Sequence, residues 1–219
     1  GCDGARSNVA RAFGLSEKDD EQYIALAREA LLPVAAMKIA GSHNVSNVLA
    51  ALALGSAVGL PMPAMLTAIV DFKGLEHRCE FVAEVSGVRY YNDSKGTNVG
   101  AAVSALRGLA GSGKVILIAG GIGKGADFNP LMDALAEAGR AAVFIGEMAA
   151  PMMAMLDSRI PAIISESMFE AVKVAANYAV PGDVVLLSPA CASFDMFSNY
   201  EHRGREFSSS VAALAGGLS

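Results

Sequence analysis

Val115-Ile116-Leu117-Ile118-Ala119-Gly120-Gly121-Ile122-Gly123-Lys124-Gly125-Ala126-Asp127 decides the fold. Its first five residues are apolar without alternation, the pattern of a strand buried on both faces, and the glycines end it abruptly. Three further apolar runs repeat it: Ala142 to Ile145, Ala162 to Ile164 and Val184 to Leu187, with helical stretches between them. Strand alternating with helix implies a parallel sheet covered on both sides. Helix starts are marked by Asn129-Pro130, a cap with proline at the first helical position, and by a Ser167-to-Glu170 capping box whose helix ends near Tyr178. Before the first run, Phe81 to Tyr91 alternates around Ser86-Gly87 as a hairpin does, and Val99 to Leu109 carries helical spacing. The fold expected is α/β, a Rossmann-like, mostly parallel sheet flanked by helices.

Toward the N-terminus, Asp20 to Leu32 reads as an amphipathic helix that stops before Pro33, followed by a short strand from Pro33 to Ile39. An alanine and leucine helix then runs to about Gly59 and another from about Pro63 to Phe72. Lys73 to Arg78, polar and containing glycine, is the expected linker.

The 219 residues are 53% hydrophobic, enough for a substantial core. A formal charge of -5 with scattered lysines and arginines offers no stripe for a phosphate backbone, which excludes nucleic acid as a partner. Cys2, Cys79 and Cys191 lie far apart, without Cys-x-x-Cys spacing or a histidine set that would complete a zinc site, and read as reduced thiols in the cytoplasm with no metal site. Val48 to Met65 is uncharged but broken by Gly55, Gly59, Pro61 and Pro63, so it reads as a buried helix followed by a turn and not as a membrane span. Gly1-Cys2-Asp3-Gly4 opens no recognisable element, and a start at glycine leads us to expect a portion of a longer chain.

Four loops hold the chemistry-bearing residues. Asn92-Asp93-Ser94-Lys95-Gly96-Thr97-Asn98 sets a carboxylate, an ammonium and two hydroxyls between a strand and a helix. Asp93, Ser94, Thr97 or Asn98 can serve as a helix cap, whereas Lys95 adds positive charge to a helix start that already favours anions. Gly120 to Asp127 lacks the Ser or Thr after lysine that a phosphate-binding Walker loop needs. Gly121-x-Gly123-x-x-Ala126 matches a dinucleotide fingerprint, yet Asn129-Pro130 starts the helix too late to meet a pyrophosphate; the alternative is a tight turn. Ser188-Pro189-Ala190-Cys191-Ala192-Ser193-Phe194-Asp195 sets small residues and the Ser193 hydroxyl after the most apolar strand. There Cys191 is either a nucleophile or a buried thiol. In His43-Asn44-Val45-Ser46-Asn47 the two asparagines share a helical face, suited to a nucleobase edge or to capping.

In this order, from about Gly41 onward, these stretches resemble the Mur ligase family, ATP-dependent amide-bond-forming enzymes of peptidoglycan precursor synthesis. His43 to Asn47 resembles the asparagine motif at the end of the family's ATPase domain, and Glu76-His77-Arg78 the element at the junction to its C-terminal domain. Asn92 to Asn98, and Ser188 to Asp195 with Phe197, Asn199 and Tyr200, are similar to the branch that adds D-glutamate to UDP-N-acetylmuramoyl-L-alanine.

The resemblance implies a remnant of the central ATP-binding domain at 1–76 and a complete amino-acid-binding domain at 77–219. It implies ATP and Mg2+ as cofactors, an acyl-phosphate intermediate, and a cytoplasmic enzyme that is monomeric at full length. Carried over by position, Lys95, Asp93 and His77 are catalytic, and Thr97, Lys124, Ser193, Phe194 and Tyr200 hold the amino acid. Asn44, Asn47, His77, Arg78 and Asp93 lie along the nucleotide, and no residue here binds metal. Three positions depart: Gly96 stands where alanine is common, a change expected to be harmless; Ile122 where aspartate is frequent; and Tyr200 for phenylalanine. The chain has no Gly-x-x-Gly-Lys-[Ser/Thr] loop, no upstream magnesium ligands and no uridine-nucleotide domain, so a C-terminal portion, inactive alone, is expected. The rival readings are a folylpolyglutamate synthetase-like ligase and a non-catalytic Rossmann-type nucleotide-binding module.

Overall fold

A computed structural model describes residues 12–39, 41–111 and 113–217; Cys2 and the Gly1-to-Gly4 opening lie outside them. The chain divides into two compact units, Gly1–Lys38 with Ser42–Lys73, and Ile39–Gly41 with Gly74–Ser219.

In the first unit β1 (Phe13–Lys18), β2 (Glu21–Leu26) and β3 (Glu29–Pro33) form an antiparallel meander. The helix expected over Asp20 to Leu32 is therefore a strand hairpin. Lys18 pairs with Glu21 across Asp19-Asp20, whose φ values of 54° and 62° make a mirror-image turn that matches strand twist. Leu26 pairs with Glu29 across Ala27-Arg28, with Ala27 at φ 55°. Pairing across these turns buries Ile24 and Ala25 and overrides the helical spacing. The strand expected over Pro33 to Ile39 is likewise replaced by a 3-10 turn at Val34–Ala36. Next come α1 (Ser42–Ala57) and α2 (Met62–Asp71). Val45, Val48 and Leu52 bury one side of α1, but Leu54 and Val58 are 71% and 76% exposed, so the expected buried helix is buried on one side only.

The second unit carries β4 (Glu80–Val85), β5 (Val88–Asn92), α3 (Val99–Leu109), β6 (Val115–Gly120), α4 (Asn129–Ala138), β7 (Gly139–Ile145), α5 (Ala149–Met155), β8 (Ala162–Ser165), α6 (Met168–Tyr178), β9 (Val184–Leu187) and α7 (Tyr200–Gly216). Strand order is β4-β5-β9-β6-β7-β8. Only β4 runs antiparallel, as the hairpin partner of β5. On one face of the sheet lie Leu106 of α3, Leu131 of α4 and Met152 of α5; on the other lie Val172 of α6 and Phe207 of α7. The expected mostly parallel sheet with helices on both sides is what forms.

The caps follow the sequence with one change. The Asn98 side chain accepts the Ala101 N–H at the head of α3, and Ser167 accepts the Glu170 N–H at the head of α6. At α4 the cap position is Phe128, not Asn129, which donates its N–H to the Asp127 carboxylate.

This topology fixes where a ligand can sit. β9 lies between β5 and β6; the chain leaves β5 and β6 toward one face of the sheet and leaves β9 toward the other. Neighbouring strands whose exits diverge open a crevice at their carboxyl ends.

Candidate active site at the carboxyl rim

The loop after β9 is stitched to both neighbours. Ala190 N–H donates to the Gly96 carbonyl at 2.9 Å on one side, and Ile122 and Ala192 exchange backbone bonds of 3.0 and 3.1 Å on the other. Gly121 must be glycine, since at φ 122° a Cβ would lie 2.1 Å from the Ala192 carbonyl oxygen. Three separate turns thus form one rim bearing Lys95 and Thr97 after β5, Lys124 after β6, and Ser193 and Phe194 after β9.

Exposure differs along it. Lys124 is exposed at φ 52°, Lys95 and Thr97 are half-buried, Ser193 is buried and Phe194 is 68% exposed. Among the described residues no carboxylate makes an ion pair with Lys95 or Lys124. The helix α4 starts several residues beyond Gly121 to Ala126, so the dinucleotide-type geometry does not form.

Beneath the rim sits a polar layer. Asp93 is 7% exposed; one carboxylate oxygen accepts the Ser188 hydroxyl at 2.6 Å and the other the Cys79 N–H at 3.2 Å. Burial raises its pKa above the ordinary carboxylate value, although the bonds from Ser188 and Cys79 and the charge of Arg78 pull the other way. Gly96 has a structural reason that the resemblance did not supply. A Cβ there would lie 2.3 Å from the Asp93 carboxylate and 2.8 Å from the Ser188 hydroxyl, so glycine lets those two groups close.

His77 is 7% exposed at φ 62°. The Asn92 side-chain oxygen accepts the Ser94 N–H and its NH2 donates to the Gly204 carbonyl, which fixes the amide's orientation. That NH2 also lies 3.0 Å from His77 Nδ1, so Nδ1 is the acceptor and the ring proton belongs on Nε2. Arg78 is exposed. On α1 of the first unit the Asn47 amide donates to the Asn44 side-chain oxygen at 3.4 Å, as two residues sharing a helical face do.

Arg203 escaped the sequence reading. Amid Glu201, His202, Arg205 and Glu206 it looks like part of a solvated helix face, yet it is fully buried. Its guanidinium donates to the Ser94 hydroxyl and carbonyl at 3.0 and 2.9 Å and to the Cys191 carbonyl at 3.2 Å, joining the first and third loops from below. Every one of these partners is neutral, and burial pulls its pKa down to about 10. The available signal was Gly204, because glycine inside a helix is costly unless something occupies the space of its Cβ. Here the His77 ring does, 2.3 Å from that position.

Cys191 is no nucleophile: it is buried, and burial pushes its thiol up to about 12. Cys79 is buried as well and its thiol is raised further. Among the described residues no three His, Cys, Asp or Glu side chains gather where a metal ion could sit, and no helix is long and apolar enough to cross a membrane. A hollow of about 660 Å³ in the first unit, lined by Phe13, Leu49, Ala53 and Ala57 among others, carries no titratable side chain and offers no chemistry.

A doubly wound α/β unit carries Lys95 and Lys124 on the loops around its switch point, neither of them in an ion pair among the described residues. Comparison with known proteins narrows the class. Residues 77–191 match the family described as "Mur ligase, glutamate ligase domain", and the chain belongs to the Mur ligase family. It is 54% identical over 207 residues to "UDP-N-acetylmuramoylalanine--D-glutamate ligase" of Pseudomonas fluorescens strain Pf-5, covering 94% of this chain and 46% of that protein. The same-named protein of Nitrosococcus oceani is 54% identical over 202 residues, covering 92% and 45%. The chain therefore spans about half the length of the curated relatives it matches. Among solved structures, UDP-N-acetylmuramate-alanine ligase of Thermotoga maritima superposes with a TM-score of 0.61 at 20% identity, over 89% of this chain and 44% of that one. The bifunctional folylpolyglutamate synthase/dihydrofolate synthase of Yersinia pestis does so at 0.63 and 21%, over 93% and 45%. At such identities these two superpositions establish the fold alone.

Proposed function

We propose that this chain is the amino-acid-binding part of an ATP-dependent ligase that joins D-glutamate to UDP-N-acetylmuramoyl-L-alanine in the cytoplasm. The observation that carries the reading is the rim itself: Lys95 and Lys124, both without a carboxylate partner among the described residues, flank the buried Ser193 on loops tied by backbone bonds. A dicarboxylic amino acid supplies the two anions such a site lacks. Identity above 50% to relatives named for D-glutamate ligation favours that substrate over the folate acceptors of the structurally similar synthases.

In this reading the muramoyl carboxylate receives the terminal phosphoryl group of ATP. The D-glutamate amine then attacks the acyl carbon; the C–N bond forms, the C–O bond to phosphate breaks, and the amine proton passes to the departing phosphate. Lys95 stabilises charge on the phosphoryl oxygens, while Lys124, Thr97, Ser193 and the Phe194 backbone orient the amino acid. Arg78 lies along the nucleotide. Asp93 and His77 take positioning roles, because the Asp93 oxygens are engaged by Ser188 and Cys79 and the His77 Nδ1 lone pair faces the Asn92 amide. Magnesium, which a phosphoryl transfer from ATP requires, finds no ligand set among the described residues. We assign residues 1–76 to the end of the ATP-binding domain and 77–219 to the amino-acid domain.

The protein expressed from its full coding sequence should convert ATP, D-glutamate and the muramoyl acceptor to a product heavier by one glutamyl residue in mass spectra. Product with a folate acceptor and none with the muramoyl one would overturn the assignment.

A further inference from the structure

The Lys95 ammonium lies 3.9 Å from the centroid of the Tyr200 ring, and the surrounding bonds hold that stack closed. Lys95 N–H donates to the His77 carbonyl at 3.0 Å, and the His77 ring meets the Tyr200 ring nearly perpendicular, centroids 6.1 Å apart. Ser94, the residue before Lys95, donates its hydroxyl to the Tyr200 carbonyl at 2.8 Å and accepts from Arg203 Nε at 3.0 Å. Asn199 caps α7 by accepting the His202 N–H at 2.7 Å, which pins the helix start that bears Tyr200.

How a cation is held decides what it can do afterwards. A carboxylate orients a lysine but cancels its charge, whereas the face of an aromatic ring attracts the ammonium and leaves the charge whole. No described carboxylate makes an ion pair with Lys95. The adjacent Glu201 carboxylate makes no ion pair with Lys95; interaction with the Tyr200 hydroxyl raises the pKa of the phenol and, with a smaller contribution from the Lys95 charge, lowers that of the acid.

We propose that Tyr200 is a positioning residue for Lys95: its ring holds the ammonium in place at the rim for the anion that arrives there. The role rests on the ligase reading. It differs from packing alone, because it requires an aromatic face at position 200, and it adds an action on Lys95 to the amino-acid contact that the family resemblance implies for Tyr200.

Two measurements test it together. In NMR spectra of this chain, ring current should shift the Lys95 ε-methylene signals upfield of the other lysines; Y200L should abolish the shift and Y200F should keep it. In the protein expressed from its full coding sequence, Y200L should lower kcat about tenfold with KM for ATP unchanged, and Y200F should recover most of that loss. An unshifted Lys95 overturns the contact. A shifted Lys95 with Y200L turning over at the wild-type rate, or Y200F as impaired as Y200L, overturns the positioning role while leaving the ligase reading intact. Wild-type protein that makes no muramoyl product removes the ligase reading, and this role with it, whatever the spectra show.

Discussion

The two ends of the six-stranded sheet treat buried charge in opposite ways. At the amino end Asp183, 1% exposed, accepts the Lys114 and Val180 N–H groups at 2.9 and 3.0 Å and pairs with the Arg140 guanidinium. At the carboxyl end Arg203 is fully buried among neutral oxygens, and the two lysines of the rim above it make no ion pair among the described residues. A buried charge is normally paired, because leaving water is costly. The amino end obeys this rule and serves stability. The carboxyl end departs from it where the proposed substrate is an anion.

The comparison breaks most visibly if Arg203 and Asp183 are changed in parallel. R203M should cut ligation on the order of 100-fold by letting the Ser94 and Cys191 loops drift, since displacement of about an ångström in a catalytic frame has that effect. Its stability should fall by no more than about 2 kcal/mol, because relief of a buried charge offsets part of the lost bonding. D183A should do the reverse. Two orphaned N–H groups and an unpaired Arg140 should cost about 2–4 kcal/mol in urea unfolding, with turnover per folded molecule unchanged. Equal losses of stability and activity in both variants would erase the distinction.

Acid titration sharpens it. For Asp183, burial is outweighed by the Arg140 bond and the two N–H groups, so its folded pKa lies below the ordinary carboxylate value. Its contribution to stability is complete above the unfolded pKa of about 4 and is lost as pH falls through the lower folded value. For Asp93 burial prevails and the folded pKa is raised. Holding it ionised therefore costs stability at neutral pH, and that cost is relieved as pH falls through the raised value toward about 4. Denaturation midpoints from pH 7 to 3 should show the wild-type advantage over D183N shrinking on acidification, and the wild type gaining relative to D93N. The same slope for both pairs would contradict the assigned environments.

Smaller effects should follow from single bonds. S94A removes the hydroxyl between Tyr200 and Arg203 and should cost about 1–2 kcal/mol, with a loss of turnover beyond what stability explains. The caps N98A and S167A should each cost about 1 kcal/mol. Only N98A, which follows Thr97 at the rim, should also raise KM for D-glutamate.

Legibility in the sequence followed the range of the interactions. The parallel strands could be read because each is a local apolar run, and the hairpin because Ser86-Gly87 sits between alternating residues. The meander was misread because Asp19-Asp20 and Ala27-Arg28 are not glycine turns, while Tyr23, Ile24, Ala27 and Leu31 fit a helical face as well as they fit two strands. Pairing between strands, which local spacing does not encode, decided that segment. The rim residues Lys95, Lys124 and Ser193 were visible as loop chemistry after apolar strands. Arg203 was not, since its burial comes from carbonyls of Ser94 and Cys191 that only the folded sheet brings together.

The most direct test of the central claim is an NMR titration of this chain with D-glutamate, with L-glutamate as reference. The backbone signals of Lys95, Thr97, Lys124 and Ser193 should move together and saturate, with a weaker response to the L enantiomer. Equal responses to both enantiomers, or movement centred on Arg140 and Asp183 at the opposite end of the sheet, would contradict it.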